Sequence, residues 1–221
     1  MLFFEEEMDK NAEILKRLQD MYPDAKPALK YKTPFQLLVA VILSAQCTDK
    51  RVNEVTKELF KKYDTPEAIA GMSQEELISY IFSCGFYNNK SKNLLAASRE
   101  IVEKYGGQVP ADFDALKKLP GVGQKTANVV WSVAFGGDAI AVDTHVFRVS
   151  NRLGLAHAKD VFATEEDLKR NIPKELWSRA HHWLIYHGRQ VCASQRPKCA
   201  ECRLSDLCDY YQKQTPMRKE K

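Results

Sequence analysis

Lys125 is the first residue whose type and position could do chemistry. It follows the segment Leu119-Pro120-Gly121-Val122-Gly123 with one residue between, and it opens the apolar stretch Thr126 to Trp131. Two glycines flanking an apolar residue, running into a helix, form a hairpin that presents unpaired backbone N–H groups. With the positive end of the helix dipole, those groups make a site for an anion such as a phosphate. The dipole also disfavours an added positive charge, and an uncharged lysine amine is a nucleophile. Beyond Gly136-Gly137 comes Ala141-Val142-Asp143-Thr144-His145, an acid at a helix N-cap position. Taken singly, such a lysine is an ordinary solvated residue and such an aspartate an ordinary cap. Phosphate grip, amine and carboxylate together point to nucleophilic chemistry on a nucleic acid.

A second group is Cys192, Cys199, Cys202 and Cys208, spaced C-x6-C-x2-C-x5-C. Four thiolates this close would repel one another, and in a reducing compartment they would not persist as disulfides, so a metal centre is implied. Zinc is one candidate, although four-cysteine zinc sites usually pair two C-x2-C knuckles across a longer gap. A single wrap suits a cubane [4Fe–4S] cluster better. Arg196 and Lys198 lie between the first two cysteines, so a metal there would hold a basic loop suited to phosphate contact. Cys47 and Cys84 fall in apolar helical settings and read as buried structural thiols. His181, His182 and His187 are poorly spaced for metal binding on one helix, and packing and hydrogen bonding are their expected roles. His145 is two residues from Asp143 and could line the same site.

These groups need a scaffold. A chain of 221 residues, 44% apolar and 28% charged, is long enough to bury a real core in one or two domains. Apolar residues recur at three- and four-residue intervals over 34–45, 49–62, 75–83, 89–105, 124–135, 143–153, 164–171 and 177–187. Prolines and glycines punctuate them. Only Ala139-Ile140-Ala141-Val142 reads as extended, and it is too short for a sheet. The expected fold class is all-α. Active residues on both sides of Gly136-Gly137 imply two lobes, 27–137 and 1–26 with 138–221, and a site in the cleft between them. The amphipathic stretch at about 8–21 is expected to pack on the second lobe.

A net charge of +4 only mildly favours a polyanionic partner. No apolar run is long enough to span a bilayer. The N-terminus turns acidic at once and makes a poor signal peptide, so no membrane and an intracellular location are expected.

Taken together, Leu119-Pro-Gly-Val-Gly-Gln-Lys125, Ala141-Val-Asp143-Thr-His-Val-Phe-Arg148, His181-His-Trp-Leu-Ile-Tyr-His-Gly188 and the four cysteines resemble the endonuclease III family. These are bifunctional DNA glycosylases and abasic-site lyases of the helix–hairpin–helix superfamily, and the resemblance runs from about Pro34 to Tyr210. It implies a six-helix barrel lobe at 27–137. It also implies a second lobe built from both termini, with a [4Fe–4S] cluster loop at 192–208. The implied substrate is double-stranded DNA carrying an oxidised or ring-saturated pyrimidine, or an abasic site, met by a monomer in the cytoplasm or nucleoid. Lys125 matches the nucleophile and Asp143 the catalytic carboxylate. Gln46 matches the residue that fills the gap left by an extruded base, and Phe86 stands at a wedge position where the family often has leucine. Gly121, Gly123, Arg196 and Lys198 are the remaining expected DNA contacts. Three alternatives stand beside this reading: an adenine-removing mismatch glycosylase of the same superfamily, a non-catalytic DNA-binding module, and a redox-sensing module in which cluster oxidation controls DNA affinity. Lys125 argues against the first and the pairing of Lys125 with Asp143 against the second, while the sequence allows the third beside catalysis.

Overall fold

The computed structural model describes residues 2–214, so Met1 and residues 215–221, the extremes of the expected second lobe, lie outside the described residues. Among the described residues every regular element is helical, as the periodicity requires. The chain divides into two compact units, Pro27–Gly137 and Met1–Lys26 with Asp138–Lys221.

The unit Pro27–Gly137 is built around α2 (Pro34–Ser44). Thr33 caps it, its hydroxyl accepting from Gln36 N at 3.2 Å, and Pro34 stands in the first turn, where its missing N–H costs nothing. The three- and four-residue spacing anticipates one apolar face here. Instead Phe35 to Leu43 are all buried, because α3 (Asp49–Leu59), α6 (Tyr87–Tyr105) and α8 (Gln124–Ala134) pack around α2. A helix apolar on all sides is a core helix, each large side chain contributing about 1.5–3 kcal/mol by burial. The rest of the shell comprises α4 (Pro66–Ala70), α5 (Gln74–Ile81) and α7 (Phe113–Lys118); α4 and α5 pack on α6, and α7 on α8. Periodicity does not reveal α4 and α7, which are too short to show a stripe.

In the other unit, α9 (Thr144–Leu153) lies against α11 (Trp177–Gln190), with α1 (Leu2–Met21), α10 (Val161–Asn171) and α12 (Asp209–Gln214) around them. Gly188 permits the close approach of α9 and α11: a Cβ there would meet His145 Nδ1 at 3.0 Å and Val149 Cγ2 at 3.1 Å. Ile14, Leu15 and Leu18 of α1 join this core, as expected of the amphipathic N-terminal stretch. Among the described residues the connector Ala139–Val142 is not part of any strand, and all four of its residues are buried. His181 Nδ1 stands 2.8 Å from Ala141 O; a carbonyl only accepts, so Nδ1 carries the proton and ties α11 to the connector.

Candidate active site and nucleic-acid interface

The hairpin is closed by Val122 N donating to Leu119 O at 3.0 Å, with Val122 buried and Gly121 and Gly123 exposed. Gly121 has φ +78°, a left-handed backbone that a side chain resists. Gly123 is the N-cap of α8 and supplies no side-chain cap. By contrast Thr33, Thr48, Thr65, Ser73, Asp112, Asp143 and Asp160 each cap their own helix. The positive end of α8 is therefore served by a residue that cannot neutralise it, which favours an external anion. Lys125 lies exposed in the first turn of this helix.

Asp143 caps α9. Its Oδ1 accepts from His145 N at 2.8 Å and Val146 N at 2.7 Å, while Oδ2 makes no bond among the described residues. The two amides hold the carboxylate through one oxygen and leave the other unengaged by them. His145 is half-buried, with Arg148 Nη2 3.0 Å from its Nδ1. Burial lowers its pKa, and the Asp143 charge opposes that shift.

Among the described residues the only non-glycine residues with positive φ are Gln46 (53°), Phe86 (49°) and Arg196 (49°). All three are sequence-derived candidates for DNA contact. Gln46 occupies the third position of the turn Ser44–Cys47, closed by Cys47 N donating to Ser44 O at 3.1 Å, where glycine or asparagine is the usual choice. Phe86, 63% exposed, follows Gly85 (φ 62°) and precedes α6. Each conformation costs on the order of 1–3 kcal/mol, and such strain concentrates where side chains must be aimed.

The four cysteines of the wrap line one hollow, partly open to solvent, together with His187, Lys198 and Tyr210. Arg152 Nη1 donates to Cys192 Sγ at 3.4 Å and to Ala193 O at 2.8 Å, and Leu204 N donates to Cys202 Sγ at 3.4 Å. Among the described residues no three His, Cys, Asp or Glu side chains close on a single ion. Arg196 and Lys198 are exposed on the loop between Cys192 and Cys199. The histidines of α11 have the packing roles expected of them. Burial depresses His182 to about 3 and His187 to about 4, and Tyr22 Oη lies 3.0 Å from His187 Nδ1. Cys84 is buried, its pKa pushed up to about 12 by burial and by Cys47. Cys47, expected buried in a helix, is instead half-exposed in the turn after α2, because the chain leaves the helix at Ala45.

Sequence reasoning missed three contacts beside these candidates: Lys90 Nζ donating to Leu43 O and Cys84 O, Asn93 packed against Gly121, and Arg152 at Cys192 Sγ. The aligned positions of Arg148 and Arg152, one turn apart on α9, were a signal for the last; the other two are read only from contacts distant in sequence.

Residues 39–174 match the family described as HhH-GPD superfamily base excision DNA repair protein. Endonuclease III of Bacillus subtilis (strain 168) is 56% identical over 200 residues, covering 90% of this chain and 91% of that protein. A solved non-covalent endonuclease III–DNA complex is 48% identical, with TM-score 0.89, covering 94% of this chain and 97% of that one. A trapped endonuclease III–DNA covalent intermediate is 50% identical, with TM-score 0.87, covering 92% and 98%. With the hairpin, Lys125, the Asp143 cap and the four-cysteine hollow in place, these likenesses mean that the chain belongs to the endonuclease III family within the HhH-GPD superfamily.

Proposed function

We propose that this protein is a base-excision repair DNA glycosylase and abasic-site lyase acting on oxidised or ring-saturated pyrimidines in duplex DNA. The observation that carries the reading is Lys125 exposed on the first turn of a helix whose only cap is a hairpin glycine.

A deoxyribose carbon inside a duplex is out of reach, so the damaged nucleotide must be extruded, at a cost of a few kcal/mol that is lower where stacking is already poor. Phe86 wedges the step and Gln46 meets the orphaned base. The hairpin amides around Gly121 and Gly123, with Arg196 and Lys198, hold phosphates and read no sequence. As the base departs, the sugar gains oxocarbenium character, as in glycoside hydrolysis. Asp143 stabilises that charge or takes a proton from Lys125. The Lys125 amine forms a bond to C1′ while the base leaves with the C1′–N bonding pair. Ring opening then gives an imine. Loss of a C2′ proton expels the 3′ phosphate and nicks the strand.

The four thiols around one hollow, with N–H donors directed at two of the sulfurs, suit a [4Fe–4S] cluster. Cys192, Cys199, Cys202 and Cys208 would hold it. It would supply rigidity to the loop of Arg196 and Lys198.

Borohydride added during reaction with a duplex carrying one thymine glycol should trap a single protein–DNA adduct. Neither adduct nor nick on that substrate or on an abasic duplex would overturn the reading.

A further inference from the structure

Lys90 is a buried lysine with no carboxylate partner among the described residues, 5% exposed in the first turn of α6. Its ammonium donates to two main-chain carbonyls from separate segments, Leu43 O at 2.9 Å and Cys84 O at 2.6 Å. Both carbonyls stand at the roots of strained turns. Leu43 lies three residues before Gln46. An unbroken helix would pair Leu43 O with Cys47 N, but that amide turns to Ser44 O instead, so Lys90 takes over the orphaned acceptor. Cys84 lies two residues before Phe86, at the end of the short 3₁₀ turn Phe82–Cys84. The Lys90 backbone N–H also donates to Phe86 O at 3.0 Å. One residue therefore holds the end of α2, the end of the 3₁₀ turn and the Phe86 carbonyl.

The amine is not a second nucleophile. It is enclosed, and two of its three protons are committed to carbonyls. Burial lowers its pKa, but reaching a sugar would strand two buried acceptors. Its geometry serves position instead.

We propose that Lys90 is the positioning residue that locks the Gln46 and Phe86 turns into one rigid inserting unit; this rests on the reading that those two side chains enter the duplex. A left-handed backbone at each tip persists only when its surroundings over-determine it. The shared ammonium is the contact that does so for both turns at once, fixing the spacing between plug and wedge.

The test compares wild type, Lys90→Met and the double variant Gln46→Ala/Phe86→Ala on two substrates. One is a duplex with a thymine glycol; the other is a single-stranded oligonucleotide with an abasic site, where there is no stack to open. Lys90→Met should reproduce the double variant's selectivity: a loss of about ten-fold or more in kcat/KM on the duplex, as for removal of hydrogen bonds to a charged group, with a much smaller loss of single-stranded lyase activity in both variants. A 2-aminopurine opposite the lesion should also lose its fluorescence change on binding in both proteins. Should Lys90→Met not fold, Lys90→Gln, which keeps donors on a shorter stem, is read in the same way. Full duplex activity in the double variant would mean that the insertion reading itself is wrong. A double variant impaired on duplex beside a Lys90 variant that is unimpaired, or equally impaired on both substrates, would overturn the role of Lys90.

Discussion

Gly121 and Asn93 are fitted to each other: a Cβ on Gly121 would lie 2.8 Å from Asn93 Cβ and 3.1 Å from Asn93 Nδ2. The hairpin is thereby seated closely against α6. Gly121→Ala combines this overlap with a left-handed φ of 78°. It should cost about 1–3 kcal/mol of stability. Binding to damaged and intact duplexes should weaken together, measured by anisotropy beside a thermal melt. Gly123→Ala, where nothing lies within 4 Å, should melt near wild type.

Lys125 and Asp143 should fail differently. Lys125→Ala should abolish both the trapped adduct and nicking while damaged DNA still binds. Asp143→Asn keeps an oxygen to accept the His145 and Val146 amides but loses the charge. Base excision should fall by orders of magnitude, each factor of ten being about 1.4 kcal/mol of transition-state stabilisation. On a ready-made abasic site, where no base must leave, the Asp143→Asn protein should retain more lyase activity than Lys125→Ala. A wild-type yield of adduct from Lys125→Ala would place the nucleophile elsewhere.

Protein purified without oxygen should be yellow-brown with about four irons per chain. Cys199→Ser should lower iron content and DNA affinity more than the rate of the bound complex, because the cysteines hold the loop bearing Arg196 and Lys198. Colourless, fully active protein with stoichiometric zinc would remove the iron assignment.

His182 sets an acid limit on stability. It is buried against His181, and its folded pKa falls from 6.5 to about 3 through burial first and then the neighbouring ring. The folded state therefore holds the neutral form, and the unfolded chain takes up the proton first. The contribution is complete above about 6.5 and is lost as pH falls toward 3, at a slope of up to about 1.4 kcal/mol per pH unit. Melting temperature across that range should fall less steeply in His182→Gln than in wild type. Parallel curves would show that His182 does not carry the linkage.

What the sequence determined by itself was whatever is local along the chain. Helices long enough to show a stripe, the glycine hairpin ahead of Lys125, the capping position of Asp143 and the cysteine spacing all rest on neighbours within a few residues. So did the family, because those motifs occur in order. Short helices such as Phe113–Lys118 escaped because a turn and a half cannot display a period. The tertiary structure alone decided that Phe35 to Leu43 have no exposed face, since burial depends on what packs around a helix and not on its own pattern. It alone decided the left-handed backbones of Gln46, Phe86 and Arg196, residue types with no preference for that conformation. The Lys90 ammonium meets Leu43 O across 47 residues of chain, and no periodicity or spacing rule reaches that far. A contact of that kind forms only when the fold brings two otherwise unsatisfied groups to the same buried place.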